Sequence, residues 1–78
     1  MTTVDARGLV CPLPLAMAKR RMDSLAPGET LLVLATDPEA PLDLAAWAAV
    51  EGHGFAERAA EGWRELELIK AGASTGGR

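Results

Sequence analysis

Short apolar segments separated by turn residues divide the first half of the chain into a strand, a helix and a second strand. Thr2–Ala6 carries β-branched residues and predicts a strand at a sheet edge. From Pro12 to about Leu25, apolar side chains recur at helical spacing, which predicts a helix with charged residues on its other side. The turn Ala26–Glu29 ends this helix. The almost continuous apolar run Thr30–Thr36 then predicts a strand buried on both faces or lying in the centre of the sheet.

The second half of the chain continues the pattern with a helix and a hairpin. Leu42–Val50 predicts a second helix, which a Gly-His-Gly turn stops. Its apolar positions, which we expect to face the sheet, are Leu42, Ala45, Ala46 and Ala49. Phe55–Ala60 and Arg64–Lys70 predict two strands of a hairpin around Glu61-Gly62.

The predicted order βαβαββ indicates an α+β fold, a two-layer α/β sandwich. Two helices packed on one face of a four-stranded mixed sheet would bury both apolar stripes. The other face of the sheet should be more polar, with Glu57 and Arg58 on it. We expect residues 1–70 to form a single domain and residues 71–78, which are small and rich in Gly and Ser, to form a flexible C-terminal tail.

Composition narrows the class of protein. Among the 78 residues, 49% are apolar and 24% charged, which is typical of a globular domain. The N-terminus lacks the basic start and apolar core of a signal peptide, and no apolar run approaches the roughly 20 residues that span a bilayer. The single cysteine excludes an internal disulfide. These features predict a cytoplasmic protein, in a reducing compartment where a lone thiol persists, with no membrane partner.

The charge distribution argues against direct binding to nucleic acid. The net charge is -3, and the one basic cluster is Lys19-Arg20-Arg21, whereas nucleic-acid binding usually needs a basic face that displaces counterions. Such a cluster is usually a solvated helix face. Its alternative role is a surface on which an acidic partner docks, with Lys19 and Arg20 as contacts.

The candidate chemistry converges on Cys11, which the pattern places at the N-cap of the first helix. The positive end of a helix favours a thiolate over a thiol. Pro12 and Pro14 have no N–H and stiffen the turn, so the amide of Leu13 is the one forward donor expected to bond the sulfur. Gly8, in the preceding loop, can adopt backbone angles that other residues avoid. The alternative is that the cysteine is a buried, inert packing residue.

Other candidate residues carry weaker signals. His53 should lie at a strand start, too far from the cysteine for a nucleophilic Cys–His pair. One Cys and one His offer too few soft ligands for zinc, so we expect no metal. Asp37 fits a helix cap and Asp43 a first-turn helix acid better than they fit a catalytic carboxylate pair. Trp47 and Trp63 fit packing roles.

The segment Asp5–Pro14, with the sequence DARGLVCPLP, resembles the signature of the TusA/SirA-like family of sulfur carriers. The likeness covers roughly residues 4–70 in matching order. It continues through Pro27-Gly28-Glu29, Thr36-Asp37-Pro38, Asp43–Trp47 and Gly52-His53. The resemblance implies a two-layer βαβαββ sandwich, in agreement with the pattern of apolar positions.

The resemblance also implies a sulfurtransferase activity of the carrier kind. Cys11 would accept sulfane sulfur as a persulfide from a cysteine desulfurase or a rhodanese-like donor, and pass it to an acceptor sulfur-relay protein. Gly8, Pro12 and Pro14 would support the cysteine. Both steps are thiol–disulfide exchange in form, so we expect no metal, no organic cofactor and no general base. The flanking helix would be the docking face, with Lys19 and Arg20 as partner contacts.

The destination of the sulfur stays open at this point. Members of the family supply sulfur for 2-thiolation of tRNA wobble uridine, for molybdenum-cofactor assembly and for oxidative sulfur metabolism. Val10 stands where many relatives place Arg, and Leu13 stands where members assigned to tRNA thiolation often carry an acidic residue. Two competing functions are a non-catalytic regulatory or adaptor module, and a redox sensor whose cysteine is oxidised to sulfenic acid and restored by another thiol.

Overall fold

The computed structural model describes residues 1–72, and its elements follow the predicted order βαβαββ. The strands are β1 (Thr2–Ala6), β2 (Thr30–Ala35), β3 (Gly54–Ala59) and β4 (Arg64–Ile69), and the helices are α1 (Leu13–Asp23) and α2 (Ala40–Glu51). The predicted α+β fold, two helices and a four-stranded mixed sheet, is confirmed. Within the described residues, neither helix has the length and apolar character that crossing a bilayer requires.

The sheet has the strand order β1-β2-β4-β3, so β2 lies in its interior as predicted. β1 and β2 are parallel, while β4 runs antiparallel to both β2 and β3. The last residues of β1 and β2, Ala6 and Ala35, are opposite each other, and Arg64 and Ala59 continue the same row across β4 and β3. The loops that follow β1 and β2 therefore leave the sheet at one end, where the β3–β4 turn also lies.

The core lies between the helices and one face of the sheet. In β2, Leu31, Val33 and Ala35 are buried, whereas Leu32 and Leu34 are half-buried on the opposite face. This alternation shows that β2 is central in the sheet but covered by helices on one face only. The core is completed by Val4 and Ala6 of β1, Ala18 and Met22 of α1, Ala40, Leu44 and Ala48 of α2, and Leu66 and Leu68 of β4.

The buried stripe of α2 differs from the one predicted. Leu42 is 71% exposed, and the buried residues are Ala40, Pro41, Leu44 and Ala48. Since α2 begins at Ala40 rather than Leu42, its first turn packs on the sheet through the two residues that the prediction left in the loop. The apolar residues of α2 surround much of the helix, so their spacing alone did not select the correct face.

The open face of the sheet is polar only in part. Arg58 lies opposite Glu65 on this face, and forms ion pairs of 3.5 Å with both Glu65 and Glu67. Glu57 lies opposite the buried Leu66, so its side chain belongs to the other face of the sheet. The prediction was right for Arg58 and wrong for Glu57, because successive side chains of a strand point to opposite faces.

The residues after β4 join the sheet to the end of α1 and to the loop that follows α2. The Lys70 ammonium group donates hydrogen bonds to the carbonyl oxygens of Met22 (2.9 Å) and Leu25 (2.8 Å) at the C-terminal end of α1. Ala71, the first residue of the predicted tail, donates its N–H to Nδ1 of His53. The rest of the predicted tail, from residue 73 onward, lies outside the described residues, so the domain boundary stays a prediction.

Leucines 42 and 44 of α2 provide a matched pair for testing this core. Leu44→Ala should lower the free energy of unfolding by about 2–5 kcal/mol, because a fully buried side chain leaves a cavity. Leu42→Ala should change it by less than about 0.5 kcal/mol, because the side chain is exposed. Urea denaturation followed by circular dichroism measures both values. Equal losses for the two variants would contradict the observed orientation of α2.

Candidate functional site

Cys11 lies just before α1, at the end of the loop that leaves β1. The N-cap of α1 is Pro12, so the predicted N-cap position of Cys11 is wrong by one residue. The Cys11–Pro12 peptide bond is cis. The amide of Leu13 donates to the carbonyl oxygen of Val10 at 2.9 Å, which closes a turn around the cysteine. The predicted hydrogen bond from the Leu13 amide to the sulfur is therefore absent, and the thiol bonds a different group.

The loop that carries Cys11 is fastened to the neighbouring β2–α2 loop. Gly8 has a φ of 83°, in the left-handed region that favours glycine, which confirms the backbone freedom predicted for it. Its N–H donates to Oγ1 of Thr36 at 2.9 Å. The amide of Leu9 donates to the carbonyl oxygen of Ala6. These bonds hold the loop against the end of the sheet, directly before the cysteine.

Arg7 anchors the start of the same loop. Its guanidinium group donates to both carboxylate oxygens of Asp5 at 2.9 Å, and lies 4.8 Å from the centre of the Trp63 ring. These hydrogen bonds hold the pKa of the Asp5 carboxyl well below its usual range. Trp63, predicted as a packing residue, is half-buried in the β3–β4 turn and supports the loop from the side. The Arg7 guanidinium is thereby engaged by Asp5 and Trp63.

Two carboxylates contact Cys11, that of Asp37 from the β2–α2 loop and that of Asp43 from α2. The thiol of Cys11 donates to Oδ2 of Asp43 at 2.7 Å, and the backbone N–H of Cys11 donates to Oδ2 of Asp37. Oδ1 of Asp37 accepts the N–H of Glu39, so one side chain ties the cysteine to the entry of α2. Asp43 lies in the first turn of α2 as predicted, but the N-cap is Glu39, without a side-chain cap bond, and the capping role predicted for Asp37 is wrong.

The acidic surroundings raise the pKa of Cys11 from its ordinary value of 9.0 to about 11. The hydrogen bond to Asp43 is the largest cause, followed by burial of the thiol and by the negative charges of Asp43, Glu39 and Asp37. The expected acidification by the helix end is therefore wrong. A hydrogen bond at 2.7 Å to a full negative charge outweighs the partial positive charge of a helix terminus.

Among the described residues, the side chains around Cys11 form a group that could together bind a cation. The sulfur of Cys11 and carboxylate oxygens of Glu39 and Asp43 lie within 4.8 Å of one another. This is one soft ligand and two hard ones, fewer than the four of a structural zinc site, and clusters of partly exposed acids are common without an ion. We assign no metal to the cluster.

His53 contacts another part of the molecule. Its Nδ1 accepts the N–H of Ala71 at 2.9 Å, and its ring meets that of Trp47 edge-on with centroids 5.0 Å apart. Burial lowers the pKa of His53, which keeps the ring neutral and able to accept this bond. Within residues 1–72, no hydrogen bond joins His53 to Cys11, and the carboxylates take the position next to the thiol.

The predicted docking residues lie along the exposed side of α1. Lys19, Arg20 and Arg21 are all exposed, and no ion pair within the described part of the chain engages them. Arg20 and Arg21 line a cavity of about 390 Å³ together with Val4 and Met17. The structure therefore separates a basic surface on α1 from the acidic surroundings of the thiol.

Exposed apolar residues flank the site. Val10 directly precedes the cysteine and is 64% exposed, and Leu13 follows two residues later at 47%. Leu42, next to Asp43 in the chain, is also exposed. Pro14 is buried, whereas Pro12 is exposed, so only the second proline of the motif is covered by its neighbours. The thiol thus stands beside apolar surface of the kind that contacts another protein.

Comparisons with known proteins place these features among sulfur carriers. The profile of the family described as Sulfurtransferase TusA matches residues 2–70. The sulfur carrier protein TusA of Allochromatium vinosum is 40% identical over 67 residues, which are 86% of this chain and 88% of that protein. YrkF of Bacillus subtilis is 46% identical over 59 residues, 76% of this chain, but the chain spans only 32% of the length of YrkF.

A solved structure shares the fold. The crystal structure of a SirA-like protein from Desulfitobacterium hafniense has a TM-score of 0.83 and 27% sequence identity, and the match covers 91% of this chain and 99% of that one. The span of the profile match, residues 2–70, includes every described strand and helix.

The resting state of the thiol can be tested by alkylation. The rate of reaction of Cys11 with iodoacetamide should rise with a midpoint near pH 11 rather than 9, because the thiolate is the reactive form. Asp43→Asn should move the midpoint down towards 9, since it removes both the charge and the strongest acceptor. Glu39→Gln is the matched control and should produce a smaller shift, because Glu39 acts only through its charge. A wild-type midpoint below 9 would contradict the observed contact.

Proposed function

Since this chain belongs to the Sulfurtransferase TusA family of TusA/SirA-like sulfur carriers, we propose that it carries sulfur as a persulfide on Cys11. A single observation supports this assignment most strongly. The family transfers sulfur, and Cys11 is the one cysteine among the 78 residues. Persulfide chemistry needs a thiol, so the cargo has no other side chain in this chain to occupy.

The placement of Cys11 supports the same proposal. The residue is only half-buried, and it lies on a loop at the end of the sheet, between the exposed residues Val10 and Leu13. The loop is held by Gly8 and Arg7, so the sulfur occupies a defined position instead of moving with a flexible segment. A carrier needs this combination, because two partner proteins must reach the same atom in succession.

The proposed cycle has two exchange steps. Cys11 attacks the outer sulfur of a persulfide on a cysteine desulfurase or rhodanese-like donor, and the donor cysteine leaves. The thiolate of an acceptor sulfur-relay protein then attacks the outer sulfur on Cys11. Both steps depend on thiolate character, leaving group and access, and the proposal includes no organic cofactor and no metal.

The downstream pathway belongs to one of three classes. The sulfur goes to tRNA thiolation, to molybdenum-cofactor assembly or to sulfur oxidation, and in each case through another protein rather than by direct contact with nucleic acid. The net charge of -3 and the acidic site both oppose contact with a polyanion. We place the protein in the cytoplasm, where a reducing environment keeps a lone thiol available.

The exposed side of α1 is the proposed docking surface for the partners. Lys19 and Arg20 project from it, and the apolar residues Val10 and Leu13 continue the surface towards the sulfur. An acidic and partly apolar patch on the donor or acceptor would complement it. Gly8, Pro12 and Pro14 shape the turn that presents the sulfur next to this surface.

Loading of the carrier is measured by intact mass. Incubation with a purified cysteine desulfurase and cysteine should add one sulfur atom, which dithiothreitol removes. Cys11→Ser should gain nothing while retaining the circular dichroism spectrum of the wild type. No gain with any donor would favour an adaptor, and a gain of oxygen with peroxide but none of sulfur would favour a redox sensor.

The docking surface is tested by reversing its charge. Lys19→Glu combined with Arg20→Glu should slow loading by roughly tenfold at low salt, because electrostatic steering of the partner is lost. Arg58→Glu, on the open face of the sheet, is the matched control and should leave the rate unchanged. An equal effect of the control, or a wild-type rate that does not fall with added salt, would assign docking to another surface.

A further inference from the structure

We propose that Asp43 is a catalytic residue, the proton acceptor for the Cys11 thiol during sulfur transfer. This role rests on the proposed function, because it concerns the proton on the same sulfur. It replaces the expectation, drawn from the sequence, that the exchange needs no general base. Asp43 touches the reacting atom itself, since the thiol donates to its Oδ2 at 2.7 Å.

The carboxylate and the thiol are held together by a closed set of contacts. The amide of Asp43 donates to the carbonyl oxygen of Glu39 at 3.0 Å, within the first turn of α2. The amide of Glu39 donates to Asp37, whose second oxygen accepts the amide of Cys11. The sulfur and its acceptor are thus fixed to one loop, and both sides of the pair are in place before any partner arrives.

A base is needed because the thiol is not acidic. With a pKa of about 11, roughly one molecule in ten thousand carries a thiolate at pH 7. The charged groups that act on the sulfur are Asp43, Glu39 and Asp37, all negative, and no cation among the described residues offsets them. Direct attack by a preformed thiolate is therefore rare, whereas loss of the proton to Asp43 during the attack avoids the free thiolate.

The step balances without an added oxidant or reductant. Cys11–S–H attacks the outer sulfur of the donor R–S–S–H. The bond from the Cys11 sulfur to that outer sulfur forms, and the S–S bond of the donor breaks. The proton passes from the thiol to Asp43 and then to the leaving donor sulfur, which gives Cys11–S–S–H and R–S–H. Cys11 is oxidised from thiol to persulfide, and the donor cysteine is reduced from persulfide to thiol by the same two electrons.

In the second step, transfer of sulfur from Cys11 to the acceptor, Asp43 passes a proton back to the Cys11 sulfur. The thiol of the acceptor attacks the outer sulfur on Cys11, and the proton released by that thiol reaches the departing Cys11 sulfur through Asp43. The products are an acceptor persulfide and the Cys11 thiol, and Asp43 is again a carboxylate that accepts the thiol hydrogen. A single residue in contact with the sulfur therefore handles the proton in both directions.

The alternative role of Asp43 is only to suppress ionisation of the Cys11 thiol. A carboxylate next to a thiol lowers the thiolate fraction, which would protect the sulfur but contribute nothing to transfer. The two roles differ in the behaviour of Asp43→Asn. If Asp43 only suppresses the thiolate, its removal accelerates every reaction of the sulfur. If Asp43 accepts the proton and passes it to the leaving donor sulfur, its removal still accelerates alkylation, because iodide leaves without a proton, but it slows transfer from a protein persulfide.

The experiment compares these two reactions in the same variants at pH 7. Wild type, Asp43→Asn and Glu39→Gln are each treated with iodoacetamide, and each is loaded in a single turnover by a desulfurase carrying a persulfide. For Asp43→Asn we expect alkylation to rise roughly tenfold, since a pKa fall of up to about two units, from 11 towards 9, is partly offset by the lower nucleophilicity of the more acidic thiol. We expect its transfer rate to fall about a hundredfold. Glu39→Gln should change the alkylation rate and the transfer rate in the same direction as each other. Both changes should be smaller than those for Asp43→Asn.

A pH profile and a second variant complete the test. Transfer by Asp43→Asn should recover as pH rises towards 9, where its thiolate forms without a base, and Asp43→Glu should retain part of the activity at pH 7. A transfer rate for Asp43→Asn equal to or above that of wild type overturns the role of Asp43 and leaves the carrier function in place. Failure of wild type to load overturns the carrier function, and the role of Asp43 with it.

Discussion

The parallel pairing of β1 with β2 is the constraint on which the site depends. It brings the loop after β1, with Cys11, and the loop after β2, with Asp37, to the same end of the sheet. The hydrogen bond from Gly8 to Thr36 joins the two loops, and that from Cys11 to Asp37 follows from it. With antiparallel strands the two loops would leave at opposite ends. The thiol and its carboxylates meet because the sheet is built this way.

Once the loops meet, local electrostatics decide the state of the sulfur. The end of α1 offers a partial positive charge, but Asp43 places a full negative charge in contact with the thiol. The contact dominates because an interaction between charges weakens with distance, and the helix terminus is a diffuse partial charge. The result is a thiol at rest whose proton already has an acceptor. A carrier that travels between partners gains from this state, since thiols react with oxidants mainly as thiolates.

The proposed docking surface and the proposed chemistry occupy different parts of the molecule. The basic surface of Lys19 and Arg20 lies on the exposed side of α1, while the acids lie at the beginning of α2. Val10 and Leu13 add exposed apolar side chains next to Cys11 in the chain. In this proposal a partner is attracted by α1, while its sulfur meets the beginning of α2. The core that holds both helices to the sheet consists of Leu, Val, Ala and Met side chains.

The amino-acid sequence alone determined the order of elements, the α+β class and the candidate cysteine, because these follow from local periodicity, turn residues and one dense motif around Cys11. It also located Asp43 in the first turn of a helix. The tertiary structure decided what that carboxylate does. Asp43 and Cys11 are 32 residues apart, and no local pattern records a contact over that separation. The same reason explains the errors at Leu42 and Glu57, since the face that an element buries is chosen by its neighbours in the fold rather than by its own spacing.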